Sequence, residues 1–276
     1  MRHCLRRWPS PTALRWMAGV ACALALTGCT TTSSSTSTDG SRTSGASSEQ
    51  GDNDRRARVR LELASAYFAR GQTDTALDEV RQALAADPQF GDAYNLRGLI
   101  YGSMGNAPLA EESFRRALQL NAHDADAMHN YGWFLCQQRR FDEAQAQFGQ
   151  AVAQPQYRGQ PRTLLAQGVC QARAGQLAEA ERTLLRAYEF DPSNPTTAVN
   201  LAEVLYQRAE YERARFYIGR VNAQPEQSSA QTLWLAARVE NKLGNRQGVQ
   251  QFGTELRNRF PQAPETLALE RGRFDE

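Results

Sequence analysis

A small residue returns six times along this chain at almost constant distance: Ala64, Gly98, Gly132, Gly168, Ala202 and Ala237, spaced 34, 34, 36, 34 and 35 residues apart. Few folds tolerate such a period, because each copy is too short to bury a core alone and must stack on its neighbours. The copy at 91–124 shows the unit most clearly. Tyr94, Gly98 and Tyr101 recur at helical spacing, and after a break at Gly105–Asn106 so do Ala110, Phe114 and Ala117. Small residues at Gly98 and Ala110 let two helix backbones approach, while Tyr94, Tyr101 and Phe114 fill the space around that contact. A helical hairpin of this size is not stable by itself.

Further columns keep the register. The small residue of the second helix recurs as Ala76, Ala110, Ala144, Ala180, Ala214 and Val249, and four positions on stand Val80, Phe114, Phe148, Leu184, Ile218 and Gly253. A third column runs Ala83, Ala117, Ala151, Ala187, Val221 and Leu256, and Pro88, Pro155, Pro192, Pro225 and Pro261 punctuate the ends of units. This pattern over roughly 57–263 resembles the tetratricopeptide repeat. The resemblance implies an all-α fold, a superhelical array of about six tetratricopeptide repeats (an α-solenoid) over 55–272, closed by a short capping helix in ETLALERG. The sixth unit reads as the poorest, with Gly248 and Gly253 inside its second helix at a cost of about 1 kcal/mol each relative to Ala.

The segment before the array has a different character. Arg2, Arg6, Arg7 and Arg15 precede an apolar run, Trp16–Leu26, too short for a permanent membrane span. Residues 1–28 therefore read as a signal peptide. Its foot, Leu26-Thr27-Gly28-Cys29, resembles the bacterial lipobox, which implies lipidation of Cys29; Thr30 after it resembles an outer-membrane address, on the periplasmic face. Several acyl chains make such an anchor durable. Residues 29–54 then read as a lipidated cysteine followed by a disordered Ser/Thr-rich tether. Without the leader, 28 basic side chains face 30 acidic ones, so no basic patch argues for nucleic acid.

No constellation for catalysis stands out, and no cofactor or metal is expected. His123, Asp124, Asp126 and His129 could be imagined around a metal, but the first two sit where an inter-unit turn wants polar groups and Asp126 suits a helix first turn. Beyond Cys29 only Cys136 and Cys170 remain, near the ends of consecutive first helices. A disulfide clamping units three and four is the leading reading in an oxidising compartment, with two separate buried thiols as the alternative. The working surface is expected on the inner wall of stacked first helices: Leu61, Ser65 and Phe68, then Asn95 and Leu99, then His129 and Trp133. Leu61, Phe68, Leu99 and Trp133 would make an apolar strip for a helix or an extended peptide, unless each is buried against its neighbour.

Repeats behind a lipobox and a tether, with paired cysteines in units three and four and the stretch N-Y-G-W-F-L-C at 130–136, resemble the PilW/PilF family of type IV pilus biogenesis lipoproteins. That resemblance implies a non-enzymatic, monomeric scaffold anchored through Cys29. Its groove would engage the pilus secretin, acting as a pilotin for secretin localisation and oligomerisation in the outer membrane. The other reading is an adaptor for peptidoglycan enzymes or outer-membrane assembly.

Overall fold

The computed structural model describes residues 42–274, and every regular element among them is a helix. They come in pairs: α1 (Arg42–Ala69) with α2 (Thr73–Ala86), α3 (Gly91–Ser103) with α4 (Ala107–Leu120), and α5 (Ala125–Gln137) with α6 (Phe141–Ala153). Then come α7 (Gln160–Arg173) with α8 (Leu177–Phe190), α9 (Pro195–Gln207) with α10 (Tyr211–Asn222), and α11 (Ala230–Lys242) with α12 (Arg246–Arg259). The short α13 (Pro264–Glu270) closes the series. The fold is thus the all-α tetratricopeptide-repeat array, with six helical pairs in units one to six.

Each pair turns on one residue in the left-handed region: Gly71, Gly105, Arg139, Gly175, Ala209 and Gly244. Beside it a backbone N–H reaches back to a carbonyl five residues earlier, as in Asn106 to Tyr101 at 2.9 Å and Glu210 to Leu205 at 2.9 Å. That bond satisfies an orphan carbonyl at the end of the first helix and reverses the chain. Asn106, Asp124, Asn194, Ser229 and Asn245 then cap the N-termini of α4, α5, α9, α11 and α12 with their side chains. Each such cap stabilises its helix by about 1 kcal/mol.

Between the two helices of a unit, sizes are matched. A Cβ placed on Gly98 would lie 2.7 Å from the Phe114 ring, on Gly132 2.9 Å from Phe148, and on Gly168 2.6 Å from Leu184. Where the facing residue is the β-branched Val80 or Ile218, the position holds Ala64 or Ala202 instead, both fully buried. Glycine therefore appears where the second helix contributes a side chain long enough to occupy the space a methyl would need.

Consecutive first helices α3, α5, α7, α9 and α11 touch one another, whereas consecutive second helices from α4 to α12 do not. The first helices therefore form the tighter, inner row. Among the described residues no helix is long and apolar enough to cross a membrane.

Two expectations need correction. Residues 42–54 belong to α1, so the expected tether boundary at 54 does not mark the start of the helix. No residue before Ala57 in the stretch 49–56 is buried; polar pairs along the helix hold it, such as Gln50 to Asp54 at 2.9 Å and Arg55 with Asp52 at 3.7 Å. Apolar periodicity is blind to such support. Gly248 and Gly253 are not flaws either. Both are buried, and a Cβ would meet the Glu240 side chain at 2.7 Å and Leu269 of α13 at 3.0 Å. The expected signal peptide, the lipidated Cys29 and the tether up to residue 41 lie outside the described residues.

Candidate functional site

The inner row carries a hollow of about 350 Å³, lined among others by Leu99, Gly102, Asn130, Trp133, Phe134 and Gln137 of α3 and α5. It exists because Gly102 has no side chain there. A Cβ there would touch Phe134 at 3.6 Å and Ala110 at 4.0 Å, ordinary van der Waals contact rather than a clash. The floor is the aromatic core of units two and three, where Phe114 lies 5.6 Å from both Tyr131 and Phe134. Its rim is polar and tied down. Asn130 Nδ2 donates to Asn95 Oδ1 at 3.1 Å, joining α5 to α3 across the unit boundary. The Arg173 guanidinium sits 5.0 Å from the centre of the Trp133 ring, which fixes the indole as one wall.

Of the residues expected on this wall, Asn95, Leu99 and Trp133 come together around the hollow, all half-buried. Leu99 packs against the cores of both unit one and unit three, which makes it the hinge of the strip. Leu61 and Phe68 are half-buried against the first core, and Ser65 is exposed with its hydroxyl donating to the Leu61 carbonyl at 2.9 Å. These three extend the wall into unit one.

His129 is a correction. It is buried, and its Nδ1 lies 2.9 Å from Thr163 Oγ1, which also bonds Tyr157 Oη at 2.9 Å. The longer connection between units three and four folds Tyr157 over this corner, so the imidazole holds two units together and is closed to a partner. Burial, and then the nearby Arg162 charge, push its pKa down to about 4, so it is neutral in the folded chain. The other imagined metal ligands are spent elsewhere. Asp124 caps α5 through the Ala127 amide at 2.9 Å, Asp126 pairs with Arg162 at 2.6 Å, and His123 meets Gln154 at 3.2 Å.

Cys136 and Cys170 are joined in the structure with their Cα atoms 5.9 Å apart, and both are buried. The bridge fastens α5 to α7 directly behind the Trp133 wall. The sequence reasoning missed Gly102, Asn130 and Arg173. Gly102 was the findable one: it stands four residues after Gly98 on the same helix, where a second missing side chain must leave a gap.

Three matches to tetratricopeptide-repeat models cover residues 64–105, 91–124 and 132–195. The type IV pilus assembly protein PilF of Pseudomonas aeruginosa is 28% identical over 201 residues, covering 73% of this chain and 79% of PilF. A crystal structure of PilW, described as a widely conserved type IV pilus biogenesis factor, superposes with a TM-score of 0.72 at 29% identity, over 78% of this chain and 98% of PilW. A structure of Pseudomonas aeruginosa PilF superposes with a TM-score of 0.70 at 25% identity, over 80% of this chain and 99% of that one.

Proposed function

We propose, for a tetratricopeptide-repeat chain homologous to PilF and PilW of type IV pilus biogenesis, that it works as a pilotin. In this reading it is held at the periplasmic face of the outer membrane through lipidated Cys29. Its inner row binds a segment of the pilus secretin and promotes secretin localisation and oligomerisation. It is a non-enzymatic scaffold that works by binding.

The observation that supports this reading best is the hollow at Leu99, Gly102 and Trp133. It is a recess of mixed lining, with Leu99, Trp133 and Phe134 beside Ser103, Asn130 and Gln137, placed on the row of helices that repeat proteins use for binding. A segment entering it would bury an apolar side chain against Trp133 and Phe134 while Asn95 and Asn130 offer hydrogen bonds to its main chain. The glutamine at 137 and the serine at 103 add polar contacts at the exit.

The test is genetic and biochemical together. Deleting the gene should remove secretin multimers and surface pili, and Cys29→Ser should release the protein from membranes. Trp133→Ala and Leu61→Asp should weaken secretin capture from detergent-solubilised envelopes with little change in helicity. Normal pili and multimers in the deletion strain would refute the pilotin role, and selective capture of peptidoglycan enzymes would move the protein to the adaptor class.

A further inference from the structure

Repeat symmetry allows the open hollow to be compared with its counterpart at the other end of the row. Counting along the columns, Gly102 corresponds to Tyr206, Trp133 to Arg238, and His129 to Trp234. At that end the surface is covered, and by this chain itself. After α13 the backbone turns back, and residue 274 reaches the α9 and α11 side of units five and six. The Phe274 ring stacks on Trp234 with centroids 5.2 Å apart and planes inclined by 29°. Its carbonyl accepts from Arg238 Nε at 3.3 Å and from Tyr206 Oη at 3.5 Å. Those two donors belong to different units, one on α11 and one on α9.

The two donors are themselves organised for the contact. The Arg238 guanidinium lies 4.4 Å from the centre of the Tyr206 ring and 3.9 Å from Glu203, so stacking and charge pairing hold it where it meets the carbonyl. The end of the array is closed chiefly by α13, whose Leu269 packs into the space above Gly253 and whose Thr266 donates to the Phe260 carbonyl at 2.7 Å, and Phe274 joins Leu269 on the buried cluster of Leu233, Trp234, Ala237 and Leu256. Residues 271–274 form the turn that ends α13, with the Gly272 N–H on the Leu269 carbonyl and the Arg273 N–H on the Ala268 carbonyl, and this turn presents one aromatic ring and one main-chain carbonyl to the inner row.

We infer that the inner face of units five and six is a second binding site, selective for a segment that presents an aromatic ring beside a free backbone carbonyl, and that the turn at residues 271–274 of this chain is its resident occupant. The site is independent of the pilus reading, because it rests on Trp234, Arg238, Tyr206 and Phe274 alone. Its consequence is that the inner row is open at units two and three and self-occupied at units five and six.

The test uses the full chain and a fluorescein-labelled synthetic peptide of residues 267–274, followed by fluorescence polarisation. Freed of its own ring, the Phe274→Ala chain should bind the peptide about tenfold more tightly than the unsubstituted chain, in keeping with the loss of one stacked aromatic pair while the main-chain carbonyl stays. Adding Arg238→Ala should reverse most of that gain, and a peptide carrying Ala in place of its phenylalanine should not bind. Equal affinity of the unsubstituted and Phe274→Ala chains, or indifference to Arg238→Ala, would overturn the inference. If circular dichroism shows that Phe274→Ala costs helicity, Phe274→Leu replaces it. That variant keeps apolar bulk without the stacked ring and should raise peptide affinity about threefold; no rise would refute the site.

Discussion

Units two and three and units five and six present the same columns of the same row, yet one face is a recess and the other is covered. In the first pair the core is aromatic, with Phe114 and Phe148 filling the space that Gly98 and Gly132 vacate and Tyr131 and Phe134 packed in the same cluster. The second pair is built of Leu201, Leu205, Ile218, Leu235 and Val239. At the register position where the first pair has Gly102, the second has Tyr206, which supplies both a wall and a donor. One substitution along a column thus converts a recess into a platform. The lesson is that a repeat array sets helix positions by its buried columns, while the columns facing inward are free to diverge in function.

The contrast fails most visibly if Phe274 is ordinary core. Phe148→Ala should cost about 3–5 kcal/mol of stability, since it empties the space facing Gly132. Phe274→Ala should cost only about 0.5–1.5 kcal/mol, the scale of an aromatic pair. Urea unfolding of the two variants decides; equal losses would mean that the covered face is simply part of the fold.

A disulfide fastens only the open half of the row. Replacing both Cys136 and Cys170 with Ala should lower stability by about 3–4 kcal/mol, the chain-entropy value for a 34-residue loop. Hydrogen exchange should rise over α5 and α7 and not over α9 and α11. Mass spectrometry without reductant should find the two cysteines joined, and free thiols would remove the distinction.

Acid should also attack the open half first. His129 is neutral when folded and, with its pKa lowered to about 4, takes up a proton far more readily once unfolded. Its contribution is therefore fully present above about pH 6.5 and is lost as pH falls toward 4, amounting to about 2 kcal/mol by pH 5. The chain has three histidines, His3, His123 and His129, so no imidazole lies in units four to six. His129→Gln should flatten the acid limb of a stability profile; an unchanged limb would place the titration elsewhere.

Gly102→Leu brings the recess closer to what unit five has. A Cβ at this position meets Phe134 without a clash and the rest of the side chain would enter the hollow, so helicity should hold, while partner capture falls about tenfold, or about 1.4 kcal/mol. Smallest of all, Arg139→Gly and Ala209→Gly relieve left-handed turns in units three and five and should each stabilise by about 0.5–1 kcal/mol. Equal gains would show that the turns are not what separates the two regions.

Much of this was legible because tetratricopeptide packing is local in sequence. Phe114 meets Gly98 across sixteen positions, and that pair repeats often enough to declare itself. What stayed hidden depends on contacts between distant elements. Gly253 looks like a defect until Leu269 of α13 is seen above it. His129 shares a column with wall residues, and only the lengthened connection carrying Tyr157 turns it inward. The start of α1 rests on polar pairs with no apolar period to betray them. Phe274 lies beyond the last repeat, where column counting has nothing to align.

The bridge between α5 and α7 also sets how the protein yields to tension. If one end is held at a surface and a partner pulls on the other, the 34 residues between the cysteines cannot pay out as free chain. Stretching a single molecule to full extension should therefore fall short by about 110–120 Å, at 3.3–3.6 Å per residue, until a reductant is added. The array is then a tether with a built-in stop, located just behind the wall that a bound segment would grip.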